Sequence, residues 1–417
     1  MTVTFRIRAV FDSGRARGFF WALVGQAGPT LLQLVYFIIA ARILGADATG
    51  NFFLIVAVAV IGSSFIGFGA GGLVMREVAR DGTRAAQAFG QAQAMSLATF
   101  PLLLPLVVAD AWYVTDEKIP FWVIVVVASA DLLAARILTT SWSLFIAREE
   151  QVRAALMICL MPIARTIVCL LTVLVAPDQR LVVFAGLYAV ASFCVLGAVL
   201  EIVRRIIGPS PLSLSRFDYR NGIGFSITWL NLALQSEGDK LFLGLFGSPV
   251  MVAVYAIAAR LMDGAAMVPR ALRVLGQARL FRAGVEGSGA AYDMSCRFLP
   301  VVIAYGVVVW LAFWLLAPVA ARLFGPGFEG LVQILPVLGA LPLLRGVAEF
   351  GAEIFMSSDR AMVQAVTQSV MTVLRIGLGI VLISAFQIQG AIATALIIGA
   401  MSGAVLWGLA WAQRGQE

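Results

Sequence analysis

The chain has 417 residues, of which 61% are hydrophobic and 13% charged, with a net charge of +7 and no histidine. A mean hydropathy of +0.95 excludes an ordinary soluble globular protein and marks an integral membrane protein. The positive balance follows membrane topology, argued below, and lends no weight to nucleic-acid binding.

Residues 1–17 interleave Phe5, Ile7, Val10 and Phe11 with arginines. They are too polar for a secretory signal core and read as a cytoplasmic amphipathic segment on the inner surface. Apolar stretches follow, each of about 20–27 residues, the length that crosses roughly 30 Å of hydrocarbon. Six cover 18–43, 51–75, 88–109, 120–147, 152–176 and 181–203. Six more cover 222–246, 250–276, 298–321, 331–356, 361–386 and 388–412, leaving room for no soluble domain. All should be helical, because the bilayer core holds no water to satisfy backbone groups. The interval 204–221 carries Pro209, Pro211 and three serines and reads as a cytoplasmic linker. The expected organisation is an N-lobe over 18–203, a C-lobe over 222–412 and a cytoplasmic tail over 413–417.

With the N-terminus inside, the outside loops carry only Arg42, Lys118, Arg180 and Arg322 as basic residues. Apart from those within the spans, the inside segments hold the others, among them Arg76, Arg80, Arg84, Arg148, Arg153, Arg204 and Arg205. Positive charge is retained on the cytoplasmic side, so both termini are expected to be cytoplasmic. Cys159, Cys169, Cys194 and Cys296 show no paired spacing, and without histidine no metal site or redox chemistry is expected. Hydrolytic pairs and triads are missing too, so no catalytic residue is assigned.

Six cations lie inside the spans: Arg136, Arg165, Lys240, Arg260, Arg345 and Arg375. A charge near the bilayer centre costs at least about 2.5–3.5 kcal/mol, so such residues face protein or water and want an anion. Span seven contains the run Gln235-Ser236-Glu237-Gly238-Asp239-Lys240. Either the glycine breaks the helix there, so that Asp239 and Lys240 line a path, or Lys240 is neutralised locally by Glu237 or Asp239. Arg260 has Asp263 at i+3, but its fork also suits phosphate oxygens. Arg345, Glu349 and Glu353 form one helical stripe with net negative charge. That stripe is either a network in which Glu349 holds Arg345 or a place where a carboxylate takes up an ion. Asp131 is five residues from Arg136 and should face elsewhere. Pro162 should kink span five and free carbonyls for Arg165, which could instead contact a ligand. Arg375 has no acid in its helix, while Gln364 and Gln368 add polarity before it. The expected substrate-binding cations are therefore Arg260, Arg375, Arg136, Arg165 and Lys240; the ion-coupling candidates are Asp239, Glu237, Glu349, Glu353 and Asp131. Glycines 62, 67, 69, 71 and 72 of span two permit close helix approach or a hinge.

The two halves share a local pattern. Ile43-Leu44-Gly45 ends one span before Gly50-Asn51-Phe52 starts the next, as Leu245-Phe246-Gly247 precedes Ala253-Val254-Tyr255. Together with Phe68-Gly69, Arg76, Asp239, Leu243-Gly244, Ala258-Ala259-Arg260-Leu261, Leu323-Phe324-Gly325-Pro326-Gly327-Phe328, Ser358-Asp359-Arg360 and Gly390-Ala391, these motifs run along nearly the whole chain. In their order and placement the chain resembles the Wzx-type polysaccharide flippases of the multidrug/oligosaccharidyl-lipid/polysaccharide (MOP) exporter superfamily. Ala253 departs from the pattern, where glycine is commoner.

The resemblance implies an all-α membrane protein of about twelve transmembrane helices in two pseudo-symmetric, MATE-like six-helix lobes in a bacterial inner membrane. It implies translocation of undecaprenyl-diphosphate-linked oligosaccharide to the periplasmic leaflet by alternating access around a cationic cavity. Membrane lipids, a polysaccharide polymerase and a chain-length regulator are the implied partners, with no cofactor beyond a coupling H+ or Na+. A cation-coupled multidrug exporter of the same superfamily is the alternative, although Gln26, Pro29 and Gln33 of span one include no acid. A membrane polymerase or glycosyltransferase would need an extended outside loop, and the longest, 110–119, is a short turn.

Overall fold

The computed structural model describes residues 13–414 except 117, 118, 215, 216, 286 and 359. The amphipathic segment expected over 1–17 falls largely outside the described residues, as does the end of the tail. In chain order the helices are α1 (Ser13–Ser63), α2 (Ala70–Arg80), α3 (Ala85–Val114), α4 (Phe121–Ser129), α5 (Ala135–Ala147), α6 (Gln151–Thr172) and α7 (Arg180–Ile207). They continue as α8 (Tyr219–Phe246), α9 (Pro249–Ala265), α10 (Met267–Val285), α11 (Ser288–Phe324), α12 (Leu331–Leu338), α13 (Leu341–Ser357) and α14 (Ala361–Gln413). A π-helical turn, Ala130–Ala134, joins α4 to α5.

Among the described residues there is no strand, and nine helices are long and apolar enough to cross a membrane. The chain is an all-helical, multi-pass membrane protein. All nine exceed the roughly 20 residues that one crossing needs, and two stand apart: Gly28–Ser63 with 36 residues and Met362–Gln413 with 52. Each contains one residue with non-helical backbone: Gly45 (φ 79°, ψ 170°) in α1 and Gln387 (φ 48°, ψ −123°) in α14. These breaks fall where the apolar pattern stops and restarts.

By packing, the chain divides into two units. The first comprises 1–44 and 54–233, the second 45–53 and 234–417. The second division therefore falls inside α8, and the expected linker 204–221 lies wholly in the first unit.

In the first unit α2, α3, α5, α6 and α7 share a core that includes Val74, Phe89, Leu144, Phe145 and Val199. The segment after α7 lies along α2 and α3. Phe217 packs with Leu73 and Met95, and a side chain at Gly90 would come within 2.2 Å of the Pro211 carbonyl oxygen. Asp218 ties the segment down electrostatically. Its carboxylate accepts from Arg76 Nη2 at 2.7 Å, from Asn221 Nδ2 at 2.7 Å and from the Asn221 backbone N–H at 3.2 Å.

In the second unit the nine residues 45–53 pack with the later helices. A Cβ at Gly50 would sit 1.7 Å from the Pro249 carbonyl oxygen, so two backbones touch where any side chain would clash. Ser248 caps α9, its Oγ accepting from Met251 N at 3.3 Å. Leu280, Val302 and Phe350 form a further core between α10, α11 and α13. Exposed apolar side chains such as Leu102, Leu174, Trp314 and Leu315 suit contact with lipid.

Two outcomes follow from this packing. Gly50→Ala forces the 45–53 segment off Pro249 and is expected to destabilise by about 1–3 kcal/mol, read as a lower thermal midpoint of the purified protein. Arg76 first, then Asn221, hold the Asp218 carboxyl at about 2, below its ordinary 3.8. A carboxyl lowered by folding stabilises above its unfolded pKa and loses that contribution as pH falls through its folded pKa. The difference in thermal midpoint between wild type and Asp218→Asn should therefore be full above about pH 4 and vanish towards about pH 2.

Candidate functional site

Each unit contains a buried aspartate held by an arginine and a tyrosine. In the first, Arg165 of α6 donates from Nη2 to Asp131 Oδ1 at 2.5 Å. Tyr188 of α7 donates its hydroxyl to both oxygens of Asp131, at 2.8 and 3.0 Å, and the Arg165 guanidinium lies 4.2 Å over the Tyr188 ring. Asp131 belongs to the π-helical turn, whose wider winding sets it apart from the α-helical register of Arg136. The expectation that Asp131 would not meet Arg136 agrees with this geometry. Arg165 does not turn to carbonyls of its own helix, the first of the two roles open to it: its Nη2 goes to Asp131.

Arg136 is different. It is only 6% exposed, and its guanidinium lies 5.2 Å from the Trp229 ring. Its Nε and Nη2 have no hydrogen-bond partner, and among the described residues no carboxylate forms an ion pair with it. A buried arginine with an aromatic face but no anion presents donors to a ligand.

In the second unit α8 runs unbroken through Gly238, so of the two alternatives the run left open the helix break is excluded and the local neutralisation of Lys240 is the one found. The polar run needs no unwinding because its side chains find partners. Lys240 pairs with Glu237 one turn earlier. Asp239 accepts from Arg375 of α14, Nη2 to Oδ2 at 2.5 Å and Nε to Oδ1 at 3.3 Å, and from the Tyr255 hydroxyl of α9 at 2.5 Å. Beside this triad Gln235 donates to Thr372 at 2.8 Å and accepts from Gln368 at 2.9 Å. Arg260 of α9 lies 3.5 Å from Glu237 and 3.8 Å from Asp263. Arg345 of α13 reaches across to Asp263 at 2.9 Å, not to Glu349 as the helical stripe suggested. Glu349 instead faces Arg270 at 3.8 Å and Arg273 at 4.0 Å, and Glu353 faces Arg273 at 3.4 Å.

The structure thus gathers Glu237, Lys240, Arg260, Asp263 and Arg345 into one chain of charges, with Asp239 next to Lys240 on α8 and Arg375 reaching that aspartate from α14. It places Glu349 and Glu353 with two arginines on α10. Sequence spacing did not find Tyr188, Tyr255, Trp229, Arg270 or Arg273. Tyr255 lay in a recognised motif, but nothing in one helix's sequence says which neighbour a hydroxyl will face. Among the described residues no His, Cys, Asp or Glu cluster could hold a metal ion.

A family model described as polysaccharide biosynthesis protein matches residues 16–269, more than half of the chain. The chain belongs to this polysaccharide biosynthesis protein family. A comparison with curated proteins found no match. Among solved structures, an inward-facing multidrug resistance MATE family transporter of the MOP superfamily superposes with a TM-score of 0.67 at 15% identity, covering 95% of this chain and 98% of that one. A mutant of the Vibrio cholerae MATE transporter VcmN gives 0.60 at 14% identity, covering 96% of each chain. A MOP superfamily transporter from Pyrococcus furiosus, described as having a binding pocket of reversed polarity, gives 0.61 at 13% identity, covering 96% of this chain and 95% of that one. This polysaccharide biosynthesis protein therefore has the MATE transporter fold.

Breaking a buried ion pair from one side leaves an uncompensated charge and costs about 3–5 kcal/mol, whereas removing both partners costs much less. Arg375→Met alone should lower the thermal midpoint of this protein strongly. The double variant with Asp239→Leu should recover most of the loss, as read in a double-mutant cycle.

Proposed function

We propose that this protein is a flippase for lipid-linked oligosaccharide. It carries an undecaprenyl-diphosphate-linked repeat unit from the cytoplasmic to the periplasmic leaflet of a bacterial inner membrane, supplying O-antigen, exopolysaccharide or capsule synthesis. The observation that carries the reading is Arg136, a guanidinium 6% exposed and without a carboxylate, in a polysaccharide biosynthesis protein with a MATE-type fold. An arginine inside a span that has no protein anion is matched by an anionic ligand, and its planar fork fits phosphate oxygens.

The balance of the second unit points the same way. Lys240, Arg260, Arg345 and Arg375 stand against Glu237, Asp239 and Asp263, a cluster with more cations than carboxylates. A multidrug exporter for cationic compounds needs the opposite excess. No bond is made or broken in transport: the work is to shield a polar head group from lipid while the polyprenyl tail stays in the bilayer, by alternating access. Arg136 is the residue of the first unit that meets the diphosphate, while Arg165, Lys240 and Arg375 hold the helices through their carboxylates. Glu349 and Glu353, beside Arg270 and Arg273, together with Asp131, Glu237 and Asp239, are the groups available for proton or sodium coupling. A polysaccharide polymerase and a chain-length regulator would act on the product, and membrane lipids surround the helices.

Proteoliposomes loaded with a fluorescent polyprenyl-diphosphate oligosaccharide test the reading. Arg136→Gln should reduce flipping about tenfold or more, and Arg136→Lys should keep part of it, at unchanged protein abundance. Wild-type flux from Arg136→Gln would sink this assignment, and export of cationic dyes without oligosaccharide flipping would favour the multidrug reading.

A further inference from the structure

The intramembrane carboxylates of the second unit are not equally committed. Asp239 has a side chain 4% exposed, closed by Arg375 and the Tyr255 hydroxyl, and Glu237 is 4% exposed beside Lys240. Asp263 is held more openly. Its side chain is 28% exposed, between Arg345 at 29% and Arg260 at 25%. Each of its oxygens faces a different guanidinium: Oδ1 is 2.9 Å from Arg345 Nη1, and Oδ2 is 3.8 Å from Arg260 Nη1. Glu349 is comparably accessible, but there two carboxylates balance two arginines. Around Asp263, Glu237 and Asp263 face Lys240, Arg260 and Arg345, which leaves one cation in excess.

We propose that Asp263 is a placeholder: an internal counter-ion that occupies the Arg260–Arg345 pair until the diphosphate of a ligand displaces it. The inference rests on the reading of this protein as a carrier of diphosphate-linked substrate, and it names the residue that regulates access to the pair. A single carboxylate spread between two arginines satisfies neither fork bidentately. A diphosphate brings more oxygens and more charge, offers each guanidinium its own phosphate edge, and neutralises the excess cation. An anion with one charge gains little by replacing Asp263, because the charge balance is the same before and after. When the ligand leaves, Asp263 retakes Arg345 and the edge of Arg260 that Glu237 does not face, so the empty protein restores its own charge balance. Asp263 is thus a positioning residue that weakens binding in order to permit release.

Binding is measured with purified full-length protein in lipid nanodiscs, using inorganic phosphate, inorganic pyrophosphate and farnesyl diphosphate as probes. Asp263→Asn removes the competitor and should tighten pyrophosphate binding about tenfold. Asp263→Glu, which keeps the charge, should stay near wild type, and Asp293→Asn, a surface carboxylate paired with Arg414, should not change. Asp263→Ser serves as a second neutral variant should the asparagine protein fail to accumulate. In the proteoliposome assay the neutral variants should lower KM and kcat together, because release is slowed; a purely structural role would raise KM instead. Wild-type binding that both neutral variants leave unchanged or weaken overturns the placeholder while leaving the flippase reading intact. No pyrophosphate or farnesyl diphosphate binding by wild type or variants overturns both. Farnesyl diphosphate binding tighter than pyrophosphate supports a lipid-borne ligand at the pair, and equal binding supports recognition of the diphosphate alone.

Discussion

The low polarity of the bilayer interior constrains every other feature of this protein. An isolated charge there is expensive, so each buried cation must be matched within a few ångströms or be aimed at something that arrives later. Arg165 and Arg375 are matched by an aspartate on another helix, with a tyrosine hydroxyl completing the carboxylate's hydrogen bonds. Those pairs are cross-braces. Asp131 links the π-helical turn to α6 and α7, and Asp239 links α8 to α9 and α14. Leucine contacts could hold the same helices together but would not specify their rotation, because lipid is as good a partner for leucine as another leucine is.

The same constraint separates residues that sequence inspection had grouped. Arg136, Arg165, Arg260 and Arg375 all read as mid-span cations available to a ligand. In the structure two are closed by short ion pairs, one is shared loosely among carboxylates, and Arg136 has an indole face and no anion. The multi-pass character was legible because it depends on length and polarity alone. The breaks in α1 and α14 were legible because the apolar pattern stops at 44–50 and at 387. The Lys240–Glu237 pair was legible because i,i+3 spacing on a helix brings two side chains together wherever that helix packs.

Partner choice between helices was not legible. Arg345 passes over Glu349, four residues along its own helix, and takes Asp263 on α9. Which carboxylate wins depends on the distance and rotation of a neighbouring helix, set by many side chains spread over hundreds of residues. Gly238 left two readings open for a related reason. A glycine among polar residues suggests an unwound segment, but glycine in a helix costs only about 1 kcal/mol relative to alanine. The charges around it are satisfied from α8, α9 and α14, so the helix stays intact.

The division of the chain into packing units has a consequence for how the polypeptide can be cut. Residues 45–53 belong with the second unit although they arise early, and the opening turns of α8 belong with the first although they follow the linker. Severing the chain at 204–221 would therefore yield two polypeptides that each carry a piece of the other's packing and lack a piece of their own. Neither fragment would be an independent module, and each would complete its packing only when the two were made together in one membrane.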